Sequence, residues 1–181
     1  MYEIIIGCDP SGNFEEGKGT TAFAIVNAQA EPLKTAVIEA KDYKTQMDYW
    51  TAVVNVMLKM FKKYNKKQIV VVIEDYLLYA DKATKQINSR LETPQIIGIL
   101  KYECQKHGIH YEMQRAVDVK KRWSDIILEE EGIITRVTTT KVFEHCHGKS
   151  GFALPKTLQR LMSHELDAIR HAVHYAMFKN K

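Results

Sequence analysis

The chain has 181 residues, a formal net charge of +4, 45% hydrophobic and 27% charged residues. At that length it can bury one sizeable core without a disulfide framework or a structural metal, and the composition excludes extended disorder. The longest apolar runs, Ile4–Gly7 and Ile69–Ile73, are too short to span a bilayer. The three scattered cysteines, Cys8, Cys104 and Cys146, and a start that lacks a basic segment and an apolar leader lead us to expect reduced thiols and a cytoplasmic protein with no membrane partner. The excess of 26 basic over 22 acidic residues is compatible with nucleic acid but specifies nothing.

No Pro/Gly/Ser-rich linker or internal repeat interrupts the chain, so residues 1–181 are expected to form a single domain. Tyr2–Cys8 is β-rich and almost wholly apolar, as a central buried strand is. A polar, Gly-punctuated loop follows Asp9, and then Thr20–Asn27 and Leu33–Ala40 read as hairpin strands. Met47, Trp50, Val54, Leu58 and Phe61 recur every three to four residues and predict an amphipathic helix from about Thr45. Gln68–Ile73 is a second continuous apolar strand. Thr93-Pro94 reads as N-cap and first residue of a helix that stops at Gly108. A strand over Ile109–Gln114, a helix over Val119–Glu130, further helical material and a last helix from Ser163 to about Phe178 complete the order. Hairpin strands followed by alternating strands and helices predict a mixed α/β sheet covered on both faces.

Two carboxylates occupy equivalent places. Asp9 follows the first buried strand and Glu74 follows the fourth; if the two strands are parallel neighbours, both acids emerge at the sheet edge where open α/β sheets bind ligands. The alternative for each is an acid that merely begins a loop. The last helix carries two stripes: Leu166, Ile169, Val173 and Met177 on one, and His164, Asp167, His171 and His174 on the other. The second stripe is either a solvated polar face or part of a site.

Ile4-Ile-Ile-Gly-Cys-Asp-Pro-Ser-Gly with Thr20-Thr-Ala-Phe-Ala-Ile, then Val70-Val-Val-Ile-Glu-Asp-Tyr, then His164-Glu-Leu-Asp-Ala-Ile-Arg-His-Ala resemble, in order and in context, the opening hairpin, fourth strand and final helix of the RuvC Holliday junction resolvases, within the RNase H-like superfamily. The long polar loop after Asp9 looks more like the RuvC-like resolvases of phages of Gram-positive bacteria, for which the compartment would be the bacterial host cytoplasm. The resemblance implies a five-stranded mixed sheet of order 3-2-1-4-5 flanked by helices, and an active site built from Asp9, Glu74 and Asp167, with His164 where many members carry a carboxylate. Glu165 is the neighbouring alternative, turned about 100° around the helix.

That chemistry suits the residue types. Two divalent ions about 3.5–4 Å apart activate water and stabilise charge in phosphodiester hydrolysis. Clustered carboxylates match the hard-oxygen preference of Mg2+, with Mn2+ as substitute because histidine is a softer ligand. Asp9 is expected to bridge, Glu74 and Asp167 to hold one ion each, and His164 either to ligate or to carry protons. The same resemblance places Lys120, with Lys121 beside it, opposite the scissile strand, and makes Tyr76, Leu77, Tyr79 and Arg90 a segment contacting the junction; Lys18, in the long Gly-containing loop, is expected to reach the DNA backbone. For Lys120 and Lys121 the alternative is a solvated helix start; for the Tyr76–Arg90 segment it is a helix covering the core. The Lys59–Lys67 cluster is read as structural, at a helix end favourable to cations. His145-Cys146-His147 lacks a second ligand pair at zinc-finger spacing, and Gly17-Lys18-Gly19 lacks the rest of a P-loop.

The expected activity is therefore metal-dependent nicking of branched DNA by a homodimer, since two symmetric cuts suit a two-fold pair. Trp123 and the apolar helix faces are candidates either for that interface or for the core. The competing readings are a related nuclease acting on RNA–DNA hybrids, flaps or forks, and a branched-DNA-binding protein without catalysis.

Overall fold

The computed structural model describes residues 1–77, 91–136, 143–145 and 163–180. Its elements are β1 (Ile4–Asp9), β2 (Thr20–Asn27), β3 (Pro32–Glu39), α1 (Gln46–Lys63), β4 (Ile69–Asp75), α2 (Glu92–Lys106), β5 (His110–Arg115), α3 (Ala116–Arg122), α4 (Asp125–Glu130), β6 (Ile134–Arg136), β7 (Phe143–His145) and α5 (Ser163–Phe178). The main sheet has five strands in the order β3-β2-β1-β4-β5. β1 runs antiparallel to β2 and parallel to β4, and β4 runs parallel to β5. This is the mixed sheet, flanked by helices, that the sequence predicts.

Alternation along the central strands divides the interior in two. Ile5, Ala22, Ala24, Val70 and Val72 pack beneath α5, together with Val119, Trp123 and Leu128. Ile6, Cys8, Phe23, Val71 and Ile73 meet α1 and α2 on the opposite face. Both central strands are buried on both sides, so their sequences are continuous apolar runs rather than alternating ones. Trp123 is buried, which assigns it to the core rather than to an outer surface.

Several local expectations are corrected. α1 buries Tyr49, Trp50, Val53, Met57, Met60 and Phe61, a stripe rotated from the anticipated one, and Met47 is exposed. Two adjacent aromatics, Tyr49 and Trp50, set this rotation because their hydroxyl and indole N–H bond to the carbonyls of Ser11 and Gly12 at 2.7 and 3.0 Å. α2 begins one residue before Thr93, with Leu91 at its N-cap in a left-handed conformation. Thr93 therefore does not cap the helix; its hydroxyl accepts from the Gly12 N–H instead. Pro94 still lies in the first turn, where its missing N–H costs nothing. The expected helix over Val119–Glu130 is two helices: α3 ends at Arg122 with Trp123 as its C-cap, and Ser124 caps α4 by accepting from the Ile127 N–H. A two-stranded antiparallel ladder, β6 with β7, stands where part of the extra helical material was expected; Cys146 and His147 lie outside the described residues.

The loop after β1 is fastened in its first half, at Gly12 and Phe14. Glu92 accepts from the Phe14 N–H at 3.0 Å and from the Gln46 amide at 3.0 Å. Gly12 passes so close to α2 that a Cβ there would lie 2.0 Å from the Glu92 carbonyl oxygen. The loop that begins at Asp9 is thus pinned against α1 and α2.

Candidate metal centre

Asp9 is the last residue of β1, and Glu74 is the penultimate residue of β4. Cys8 pairs in register with Ile73, so the two acids leave the sheet side by side at the carboxyl ends of parallel strands, the usual ligand edge of such sheets. Glu74 pairs in turn with Gln114 on β5. Asp9, Glu74 and Gln114 all fall on the side of the pleat that faces α5, because they alternate in phase with Ile5, Val72 and the other residues beneath that helix.

α5 approaches closely because the surfaces beneath and upon it are small. Gly7 on β1 sits opposite Ala24 on β2, and Asp9 opposite Ala22; Ala168 and Ala172 are fully buried on the helix. A Cβ at Gly7 would lie 2.0 Å from the Ala168 carbonyl oxygen, so backbone meets backbone at this point. The residues just before those alanines, Asp167 and His171, are thereby delivered to the acid edge.

Asp9, Glu74 and Asp167 each offer a carboxylate oxygen, and these oxygens lie within 4.8 Å of one another. Around them stand basic partners. His164 Nδ1 is 2.7 Å from Asp9 Oδ2; Lys120 Nζ is 2.7 Å from Asp167 Oδ2; His171 Nε2 is 3.0 Å from Glu74 Oε2. Arg170 forks between Asp167 and Asp125 through its terminal nitrogens, and its Nε donates to the Trp123 carbonyl at 2.9 Å.

The electrostatics follow from this crowding. Burial pushes the Asp167 carboxyl up; the Lys120 ammonium pulls it down, Asp9 and Glu74 push it up again, and the net direction is upward. Burial also pushes Glu74 up, but the hydrogen bond from His171, with Lys120 and His164 behind, carries it below the usual carboxylate range. The Asp9 hydrogen bond raises His164 in spite of burial. Burial lowers Lys120, but Asp167, Glu74 and Asp9 outweigh it and raise it overall. Three converging carboxylates with a raised member are a site that gains from a cation. Their hard oxygens fit Mg2+ or Mn2+, and the histidine at the margin fits the softer ion of the two.

The structure thus brings together Asp9, Glu74 and Asp167, with His164 bonded to the first and Lys120 to the last. Glu165 is buried and stands outside the converging group. The His164, Asp167, His171 stripe is not a solvated face; it meets the acids. His174 lies further along, packed on Phe178 with ring centroids 5.3 Å apart, and its Nδ1 has no partner among the described residues. Lys121 is exposed at the end of α3, Arg122 lies over the Phe178 ring at 3.8 Å, and Arg115 is paired with Asp118 at 2.7 Å. Lys18 is exposed beside β2. Tyr76 is half-buried against the α1/α2 core, and Leu77 is half-buried next to it; Tyr79 and Arg90 lie outside the described residues.

Sequence reasoning missed Arg170, Asp125 and Gln114. For Arg170 a signal was present, an arginine three residues after Asp167 on a helix otherwise bound for the interior. Gln114 and Asp125 join the site only through strand register and the break between α3 and α4, which no local pattern announces.

No family model matches the chain, and no curated protein matches it in sequence. Solved structures do. The structure described as RuvC of Thermus thermophilus in complex with a Holliday junction substrate superposes with a TM-score of 0.64 at 14% identity, over 98% of this chain and 94% of that one. A second Thermus thermophilus RuvC structure gives a TM-score of 0.63 at 13% identity, over 97% and 94%. The fold is the one these RuvC structures have, here a five-stranded mixed sheet of order 3-2-1-4-5 flanked by helices. Among the described residues no helix is long and apolar enough to cross a membrane.

Proposed function

We propose that the chain is a divalent-metal-dependent endonuclease that nicks four-way or related branched DNA. The observation that carries this reading is the convergence of Asp9, Glu74 and Asp167, from β1, β4 and α5, to within 4.8 Å on a fold shared with a protein described in complex with a Holliday junction. In this reading the three carboxylates hold Mg2+ or Mn2+, as two ions, and the bound metal supplies an activated water and stabilisation of charge on the phosphate. Asp9, at the end of the central strand β1, would hold the metal jointly with Glu74 from β4 and Asp167 from α5. His164, already bonded to Asp9 and biased towards its protonated form, stands at the fourth position as ligand or proton carrier. Lys120 remains protonated beside the acids and is placed to meet a phosphate oxygen or developing charge. Lys18, Lys121, Tyr76 and Leu77, with Tyr79 and Arg90, are the further DNA contacts in this reading. The chain acts as one nuclease domain, and paired nicks call for a homodimer.

The test uses purified protein, a labelled four-way junction, a fork and an RNA–DNA hybrid, each in Mg2+, Mn2+ and EDTA. Cleavage of the junction that requires metal and is abolished in Asp9→Asn, Glu74→Gln and Asp167→Asn is the expected result. Metal-dependent cleavage that survives all three changes sinks the site assignment. Preferential cutting of the hybrid moves the substrate to the related-nuclease reading. Salt-sensitive junction binding with no cleavage in either metal makes the protein a DNA-binding module.

A further inference from the structure

Beneath the acids lies a layer that none of the chemistry above uses. His171 is fully buried and touches two polar groups: its Nε2 lies 3.0 Å from Glu74 Oε2 and its Nδ1 lies 3.1 Å from Gln114 Oε1. Gln114 is itself buried, and its amide nitrogen has no hydrogen-bond partner among the described residues. A neutral imidazole has one N–H and one bare nitrogen. The Glu74 carboxylate only accepts hydrogen bonds and lies 3.0 Å from Nε2, so it takes the N–H there, which leaves Nδ1 bare. A half-turn of the Gln114 amide then gives Nδ1 a donor, and the orphaned amide nitrogen gains a partner in the same step. In that orientation both imidazole nitrogens and the Gln114 amide nitrogen are paired.

We infer that His171, held by Gln114, is a positioning residue that fixes one oxygen of Glu74 and leaves its other oxygen aimed at the metal. The inference rests on the reading of Glu74 as a metal ligand. Three facts favour positioning over simple core filling. The histidine is fully buried, where an apolar side chain would fill the same space without any polar atoms to satisfy. Its two partners are adjacent in the sheet by register, Glu74 opposite Gln114, so the imidazole spans both from above as a rigid plate. It also stands four residues after Asp167 on the same helix, so a single rigid element sets both the position of one acid and the orientation of another. Hydrogen bonds of this kind to ligating groups typically change metal affinity by about 10–100-fold when removed.

The experiment measures Mn2+ binding to the full-length, DNA-free protein by isothermal titration, with metal alone as the probe, alongside thermal melts in EDTA. His171→Leu keeps bulk and removes the donor; His171→Asn restores an N–H; Gln114→Met removes the support at Nδ1. Expected are a weakening of Mn2+ affinity of about 10–100-fold in His171→Leu, recovery of most of it in His171→Asn, and an intermediate loss in Gln114→Met. Should His171→Leu fail to fold, the Gln114→Met titration and the ring 15N shifts of His171 in the unmodified protein decide instead, with an Nε2–H tautomer expected. A folded His171→Leu that binds Mn2+ as the parent does overturns the inference, as does equal loss in the Leu and Asn variants, unchanged affinity in Gln114→Met, or an Nδ1–H tautomer. Glu74→Gln is the control that separates the two levels. If it weakens Mn2+ binding while His171→Leu does not, positioning alone fails; if Glu74→Gln leaves binding unchanged, the metal-site reading fails and the positioning role with it.

Discussion

Gly7→Ala is a one-methyl change inside β1 that is expected to disable a site it does not touch. The added Cβ would lie 2.0 Å from the Ala168 carbonyl oxygen and 3.0 Å from the Ala172 backbone nitrogen, whereas ordinary contact begins near 3.4 Å. The obstructing atoms are helix backbone and cannot swing aside, so α5 has to withdraw by about 1.4 Å (3.4 minus 2.0). Asp167 and His171 precede those two alanines and withdraw with them, away from Asp9 and Glu74, which remain on the sheet. Overpacking of this kind costs about 1–3 kcal/mol, or about 2–12 °C in Tm for a chain of this size. A misplacement on the order of 1 Å costs roughly 100-fold in rate. The assays are a thermal melt, a Mn2+ titration and junction cleavage at saturating metal. Gly98→Ala serves as control, because a Cβ there meets nothing within 4 Å and a helix interior favours alanine by up to about 1 kcal/mol. A Gly7→Ala protein that melts, binds Mn2+ and cuts as the parent does would refute the close-contact argument.

Other changes read the site more directly. Mn2+ at a hundredfold excess over its Kd should stabilise the fold by about 2.7 kcal/mol, about 5–11 °C in Tm; calorimetry with and without EDTA checks this, and the gain should vanish in Glu74→Gln. Arg170→Leu leaves the half-buried Asp167 and Asp125 without their shared cation, although Asp167 keeps Lys120, and should cost about 1.5–3 kcal/mol, read from urea unfolding; a loss below about 1 kcal/mol would remove the network from the list of stabilising features. Lys120→Met should change stability little, since the lysine side chain is 47% exposed and such pairs are worth about 1 kcal/mol or less, yet lower cleavage by about 100-fold; the contrast between melt and rate is the measurement. For pH, His164 is raised from its ordinary 6.5 by the Asp9 hydrogen bond in spite of burial. Its contribution is fully present below pH 6.5 and is lost as pH rises through the higher folded-state value. The metal-free protein should therefore lose Tm as pH rises above 6.5, and His164→Gln should flatten that slope.

How much of this was legible in the sequence depends on how far each feature's cause extends along the chain. The two central strands were readable because burial on both faces leaves no polar position inside them, so a carboxylate at each end marks the point where the chain leaves the core. The last helix was readable because His164, Asp167 and His171 repeat at its own period. Other features are fixed by contacts from elsewhere. Tyr49 and Trp50 turn α1 about its axis by bonding the loop at Ser11 and Gly12, and no periodicity within α1 contains that loop. Thr93 has the chemistry of a cap but bonds the Gly12 N–H across the molecule. Trp123 looks like the middle of one helix and is the joint between two, because its carbonyl faces Arg170. Gln114 looks like an ordinary strand residue until register sets it beside Glu74.

Asp9 and His164 touch across 155 positions of sequence. An unfinished chain can hold the β1 and β4 acids at one edge, but the third acid, the two histidines and Arg170 all arrive on the final helix. Contacts of such long range form late, because the loop between them must be closed before they reward the chain. The centre is therefore assembled as the fold is completed, and any chain that has it has already buried Gly7 against Ala168. Folding itself is the safeguard that keeps a partly made chain from presenting the three acids together.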